Sequence, residues 1–255
     1  MAKVAIIAQQ RTGSTFLLKC LDAHTQVWCP PIELFVRTTW REFLSGIWQS
    51  AEVLDDFYSE GLVRSKAQEK LPVREAVWQS GKYESPKLIR VAKIMHNQIL
   101  MTPRLDKYLI QNIDIRVIHL RRENLLKQHV SNMLNKSSEA DRRPAHTAKP
   151  LPVMTIRINP RYAAYRIRMA KMLYQWYDKR LSHHPKIEMV YEQMVGANGL
   201  SESATAMVCE FLGVPPEPLG TDLVKLNPDD LRMIITNYDE VARALAGTEF
   251  EQYLD

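Results

Sequence analysis

The chain has 255 residues, of which 45% are hydrophobic and 25% charged, and its net charge is +5. This is ordinary globular composition, and it excludes a disordered chain, a collagen-like repeat and a disulfide-stapled mini-protein. Three cysteines, Cys20, Cys29 and Cys209, are odd in number and match no metal-ligand spacing, so they read as buried thiols of a reducing compartment.

Residues 3–8 (KVAIIA) form a continuous apolar run of the kind found in a central parallel strand buried on both faces. A polar turn follows, Gln9-Gln10-Arg11-Thr12-Gly13-Ser14, and then a helix is expected over Thr15–His24. The apolar stretch at the start is too short for a signal-peptide core, and no run approaches a membrane span. The expectation is a cytoplasmic protein with no integral membrane segment. Further strands are expected at Leu88–Met95, Ile115–Leu120 and Ile187–Tyr191, and helices at Asn124–Leu134, Arg161–Leu181 and Ser201–Leu212. Gly213 with Pro215 and Pro216 ends the last of these helices. Strands alternating with helices predict an α/β fold, a mainly parallel central sheet flanked by helices. No boundary divides the chain, so residues 1–255 read as one domain. Residues 35–87 and 135–160 are the variable segments, the second polar and carrying four prolines.

Charge is unevenly spread. Residues 187–255 hold 13 acidic and 3 basic side chains, and residues 1–186 hold 31 basic and 16 acidic. A basic body suggests an anionic ligand. The cations are scattered and not interleaved with aromatics in a stripe, so nucleic acid is not the expected partner.

The turn Arg11-Thr12-Gly13-Ser14-Thr15 carries the clearest local chemistry. Unpaired N–H groups at a helix N-terminus and the helix dipole favour an anion. Gly13 lets the backbone curl, Ser14 and Thr15 add hydroxyls, and Arg11 adds a fixed, forked charge. The plain alternative is a strand–helix turn with a serine cap. The loop is not a nucleoside-triphosphate loop, since G-x-x-x-x-G-K-[ST] is absent.

With its strand and helix, this turn resembles the 5′-phosphosulfate loop of the sulfotransferases that use 3′-phosphoadenosine-5′-phosphosulfate (PAPS). Val117 to Asn124, running on to Ser131, resembles that family's 3′-phosphate segment. Met189-Val190-Tyr191-Glu192 with Phe211-Leu212-Gly213 resembles its "YED … FLG" segment. Ile235 to Val241 with Leu245 to Phe250 resembles the C-terminal ending of bacterial members, including those acting on carbohydrates and nodulation factors. The four blocks stand in the family's order. The resemblance implies a P-loop-like sulfotransferase fold and a PAPS donor held by Arg11, Thr12, Gly13, Ser14 and Thr15. Arg122 and Ser131 would sit at the 3′-phosphate and Tyr191 near the adenine, and no metal is implied. Arg122 to Ser131 is nine positions where many members have eight, which leaves Arg121 and Arg122 both open for the contact.

A hydroxyl acceptor needs a base. Glu33, in Pro30-Pro31-Ile32-Glu33-Leu34-Phe35, is the first candidate, because relatives carry an acid at this distance and an apolar setting raises a carboxyl pKa. His96 is the second, on the strength of an ordinary histidine pKa. Trp28, Trp40, Trp48 and Trp78 offer flat surface for a sugar ring or lipid and are equally explained as core. The expected function is sulfuryl transfer from PAPS to a hydroxyl acceptor of carbohydrate or glycolipid type. The alternatives are a P-loop-type small-molecule kinase and a non-catalytic anion-binding module. The oligomeric state is not legible.

Overall fold

The apolar run after Met1 forms a strand because it can be buried on both sides, and the residues that bury it define the architecture. The structure, a computed structural model, describes residues 2–30, 34–35, 51–59, 89–140, 152–225 and 227–254, with 138–140 as backbone only. Strand β1 (Ala2–Ala8) is central. The short β2 (Val27–Trp28), then β3 (Ile89–Met95), β4 (Arg116–Arg121) and β5 (Lys186–Val190) complete a five-stranded sheet in the order β2-β3-β1-β4-β5. Every pairing is parallel. The α/β expectation therefore holds. The expected strands and helices are present with ends shifted by one or two residues, apart from the helix after β4, which starts at Leu125 and continues to Ala140. Its last turns thus occupy the start of the segment read as a polar variable loop. Strand β2 is two residues long and carries no periodic signal.

Alternation along the strands separates two cores. Val4, Ile6 and Ala8 face one side with Val91, Met95, Ile118 and Leu120. There they meet Leu17, Leu18 and Leu21 of the helix Ser14–Asp22 and Val208 and Leu212 of the helix Glu202–Leu212. Ala5, Ile7, Ala92, Ile94 and Val117 face the other side. They pack on Leu54 and Phe57 from a helix over 51–59, on Leu105 and Leu109 of the helix Pro103–Gln111, and on Tyr177 of the long helix Pro160–Arg180. Trp28 belongs to this core, 7% exposed and stacked on Phe57 at 5.3 Å, so it offers no face to an acceptor. Trp40, Trp48 and Trp78 lie outside the described residues.

A third cluster ties the C-terminal segment to the helices Leu125–Ala140 and Pro160–Arg180 through Leu126, Val130, Ile167, Ile235, Val241 and Phe250. Its polar clasp is Asn237. The side chain accepts from the Ile158 N–H at 2.9 Å and donates to the Ile158 carbonyl at 2.9 Å, so one buried amide replaces a ladder pair that Ile158 would otherwise lack. Arg157–Glu240 and Lys171–Glu249 join the same surfaces. The acidic tail thus answers part of the basic excess of the body within the chain itself.

After β1 the chain crosses to the first face, and after β4 it crosses to the second. The crevice at the carboxyl ends of these two neighbours is a topological switch point, the place where open α/β sheets bind ligands.

Candidate functional site

The loop leaving β1 is held in an unusual conformation. Arg11 has φ 62° and Gly13 has φ 84°. The left-handed region suits glycine but costs an ordinary residue about 1–3 kcal/mol. Three hydrogen bonds oppose that cost, each worth about 1 kcal/mol net. The Thr12 hydroxyl donates to the Gln9 carbonyl at 2.8 Å, Gln128 Nε2 to the Gln10 carbonyl at 2.8 Å, and Arg122 Nη1 to the Arg11 carbonyl at 3.2 Å. With the carbonyls of residues 9–11 tied down, the turn delivers the chain into the helix at Ser14. The helices starting at Pro160 and Glu202 are capped by Asn159 and Ser201 side chains, whereas this one has no side-chain cap. The residue at the N-cap is Gly13, so the plain alternative of a serine cap is not formed.

Gly13 is required for space as well as conformation. A Cβ there would lie 2.2 Å from Cδ2 of Tyr191. Tyr191 opens a one-turn helix immediately after β5, so its ring walls the loop. Phe16 meets the same ring edge-on, with centroids 6.4 Å apart.

The two arginines at the end of β4 part company for a simple reason. Side chains alternate along a strand. Ile118 and Leu120 face the first core, while His119 and Arg121 face the second side. Arg121 pairs with Glu188 at 2.7 Å and Asp178 at 3.4 Å. Arg122, one residue on, reaches the loop side. Its guanidinium lies 5.0 Å over the Tyr191 ring, and its Nε donates to Glu192 at 3.3 Å. The Glu192 carboxylate also accepts from the Glu123 N–H at 2.8 Å, which fixes the arginine against the start of the next helix.

That helix, Leu125–Ala140, presents Gln128, Ser131 and Asn135 along one stripe at i, i+3, i+7. Arg11 Nε donates to the Ser131 hydroxyl at 3.2 Å and its Nη1 to Asn135 Oδ1 at 3.2 Å. Arg11, Thr12, Gly13, Ser14, Thr15, Arg122, Ser131 and Tyr191 therefore meet in one crevice, although they come from three separate parts of the sequence.

Sequence reasoning missed Lys93. It stands on β3 opposite Ile6, facing the first helix, and is only 4% exposed. Its Nζ donates to the Thr15 hydroxyl at 3.1 Å. A lysine inside LIRVAKIM, a strand buried on both faces, was the available signal, since charge is rarely buried without a purpose. Gln128 and Asn135 were also missed and carry no comparable mark.

His96 does not have the pKa on which its candidacy rested. It is 1% exposed, stacked on Tyr177 at 4.0 Å, and its Nε2 sits 3.3 Å from Nε2 of His119. Burial first, then His119 and Arg121, lower its pKa to about 2. Burial and Arg121 lower that of His119 to about 4. Both rings are neutral at neutral pH and lie on the second face, away from the loop helix. Glu33 lies outside the described residues.

Among the described residues, His119, Asp178 and Glu188 bring three metal-capable atoms within 4.8 Å of one another. Lys186 and Arg121 already pair with both carboxylates, so that charge is met by the chain itself. No helix among the described residues is long and apolar enough to cross a membrane.

No family model matches the chain, and no curated protein does either. Solved structures give distant likenesses. A sulfotransferase domain from the curacin biosynthetic pathway is 16% identical, with 95% of this chain and 90% of that chain covered and a TM-score of 0.46. A sulfotransferase from Alicyclobacillus acidocaldarius is 14% identical over 100% and 96%, with a TM-score of 0.43. A sulfotransferase domain from the Synechococcus PCC 7002 olefin synthase is 14% identical over 97% and 90%, with a TM-score of 0.42.

Proposed function

We propose that this chain is a PAPS-dependent sulfotransferase that moves a sulfuryl group to a hydroxyl acceptor of carbohydrate or glycolipid type. One observation carries the reading. The uncapped loop helix, Arg11, Arg122, Ser131 and Tyr191 converge at the switch point of the sheet, in the arrangement that the four sequence blocks imply for an adenosine bisphosphate. Gly13 supports it independently, because the absence of a Cβ is what lets Tyr191 stand beside the loop.

In this reading the 5′-phosphosulfate rests on the amides of residues 12–15. The S–O bond to the nucleotide breaks as the acceptor oxygen attacks in line, and negative charge grows on the departing phosphate. Arg11 and the amides meet that charge. Arg11 cannot give up a proton at working pH, so its part is electrostatic. Lys93, through Thr15, adds a second positive charge behind the same turn. Arg122 takes the 3′-phosphate with Ser131, and Tyr191 stands beside the base. Glu33 accepts the acceptor's proton, and no step is assigned to a metal.

Isothermal calorimetry with 3′-phosphoadenosine-5′-phosphate, with and without Mg²⁺, tests the nucleotide assignment. Metal-independent binding is expected, and absence of binding would sink it. A labelled-sulfate transfer screen over glycans, glycolipids and phenols tests the acceptor class. Glu33→Gln is expected to cut turnover about a hundredfold or more while leaving product-nucleotide affinity unchanged. A fully active variant would remove Glu33 from the role.

A further inference from the structure

The long helix Pro160–Arg180 buries one side and, among the described residues, leaves a second apolar side largely exposed, with only Tyr162 touching a ring of another helix, His129, edge-on at 5.6 Å. Its buried side holds Ala163, Ile167, Tyr174 and Tyr177. On the other side Tyr162, Tyr165, Met172 and Trp176 are 44%, 52%, 54% and 44% exposed. With the half-buried Met169 between them, they recur at spacings of 3, 4, 3 and 4 and so form one continuous stripe along the helix. Exposed large side chains scattered singly need no explanation, but a contiguous row does.

The setting of the stripe is strongly basic. Arg161, Arg168 and Lys179 flank one edge and Arg166 the other, all exposed. Asp178 is the helix's sole acid, and it is spent on Lys186 and Arg121. The short helix His96–Leu100, whose first carbonyl receives the Tyr177 hydroxyl, ends at Leu100, and Leu100 and the following Met101 are 50% and 51% exposed. Nearby, Arg180 lies over the Trp176 ring at 5.6 Å.

We infer that this face is a peripheral docking surface for an anionic lipid bilayer. Tyrosine and tryptophan place an apolar body below a polar tip, and arginine and lysine lay their stems along apolar surface with the charge outward. Both suit the headgroup level of a membrane. An amphipathic helix edged with cations and carrying aromatics lies in that plane. A second copy of the chain fits less well. An antiparallel helix pair centred near residues 169–170 brings the Arg161 end of one helix beside the Lys179 end of the other, and a parallel pair sets each cation against itself.

The location links the surface to the catalytic reading. Gln9 Nε2 donates to the carbonyl of Ala170 at 2.7 Å, so the loop leaving β1 is bolted to the middle of this helix. On the helix's remaining side, Lys171 and Gln175, next to Tyr174 of the buried side, line an open pocket of about 310 Å³ together with Arg121 and Arg122. A bilayer under the stripe would bring lipid headgroups to the edge of the crevice. That consequence rests on the sulfotransferase reading, whereas the docking itself does not.

The test is co-sedimentation of the full chain with vesicles of phosphatidylcholine alone and of phosphatidylcholine containing about one quarter phosphatidylglycerol, at low and high salt. Binding to the anionic vesicles that weakens with salt is expected. The variant Arg161→Gln/Arg166→Gln/Lys179→Gln is expected to lose about a hundredfold in partition, since each surface cation contributes roughly a factor of five. Tyr165→Ser/Trp176→Ser should also weaken binding, at unchanged secondary structure and unchanged calorimetric affinity for 3′-phosphoadenosine-5′-phosphate. No partition, equal partition to both vesicle types, or indifference to both variants overturns the inference. So does a dimer in sedimentation equilibrium that Tyr165→Ser/Trp176→Ser dissociates while no vesicle binding is found. Failure of nucleotide binding with vesicle binding intact would strike the catalytic reading and leave this one standing.

Discussion

Two clusters of polar side chains sit at the carboxyl edge of the sheet, and they have opposite characters. The crevice between β1 and β4 gathers Arg11, Arg122 and Lys93 around an uncapped helix start. A few residues away, His96 and His119 share a hydrogen bond among Tyr174 and Tyr177 and hold no charge at neutral pH. Both follow or end a strand, so position in the fold does not separate them. What separates them is strand parity. Even-numbered residues of β1 and β4 face the loop helix, while His119 faces the side closed by the long helix. Burial there, with Arg121 and Lys186 outweighing the pull of Asp178 on His119, keeps the rings neutral.

The most severe way to break this contrast is to remove the charge from the open cluster. Arg11→Ala is expected to lower turnover by about 10²–10³-fold, the usual effect of losing a donor that meets developing charge. A much smaller loss, with nucleotide affinity unchanged, would mean that the reaction takes place elsewhere. The parity argument is sharpened by comparing neighbours. Arg122→Ala is expected to weaken binding of 3′-phosphoadenosine-5′-phosphate by about 10–100-fold, as loss of a charged hydrogen bond does. Arg121→Ala should leave it within about twofold, because exposed ion pairs such as those with Glu188 and Asp178 contribute little. The reverse pattern in calorimetry would overturn the assignment of faces. Lys93→Met keeps the length of the side chain and removes its charge. About a tenfold loss of turnover at unchanged melting temperature is expected, and a gain in stability with full activity would reduce Lys93 to a packing residue.

Much of the fold was legible because it rests on pattern. Continuous apolar runs marked β1, β3 and β4, and Gly213 with Pro215 and Pro216 marked the end of the helix Glu202–Leu212. Strand β2 was invisible, since two residues carry no period. The turn Arg11-Thr12-Gly13-Ser14 was legible as a turn because it is polar, contains a glycine and lies between a strand and a helix, whereas the positive φ of Arg11 carried no signal. The choice between Arg121 and Arg122 was not legible from spacing, because it depends on where β4 ends. With the strand ending at Arg121, parity decides which side each faces. His96 was misjudged because the sequence displays a residue type but not its surroundings, and Tyr177 and His119 come from segments 81 and 23 residues away. Charge composition was partly misleading as well. Lys171 and Arg157 bind the acidic tail, so not every cation of the body awaits a ligand.

The neutral cluster makes its own prediction, smaller per group and opposite in kind. His96, His119 and His129 have folded-state pKa values lowered to about 2, 4 and 4, chiefly by burial. The unfolded chain therefore takes up protons below about pH 6.5 that the folded chain refuses, and stability falls as pH falls from there until the folded values are reached. Each histidine is expected to cost about 1 kcal/mol over the first pH unit below 6.5. Urea midpoints at about pH 7 and about pH 5 measure the total. In His96→Phe/His119→Leu the difference should shrink toward the share of His129 alone. Catalysis in the crevice would keep its pH profile in that variant if the two clusters are as separate as strand parity makes them. A shifted profile would couple the stacked rings to the proton transfer, and would return His96 to the reaction.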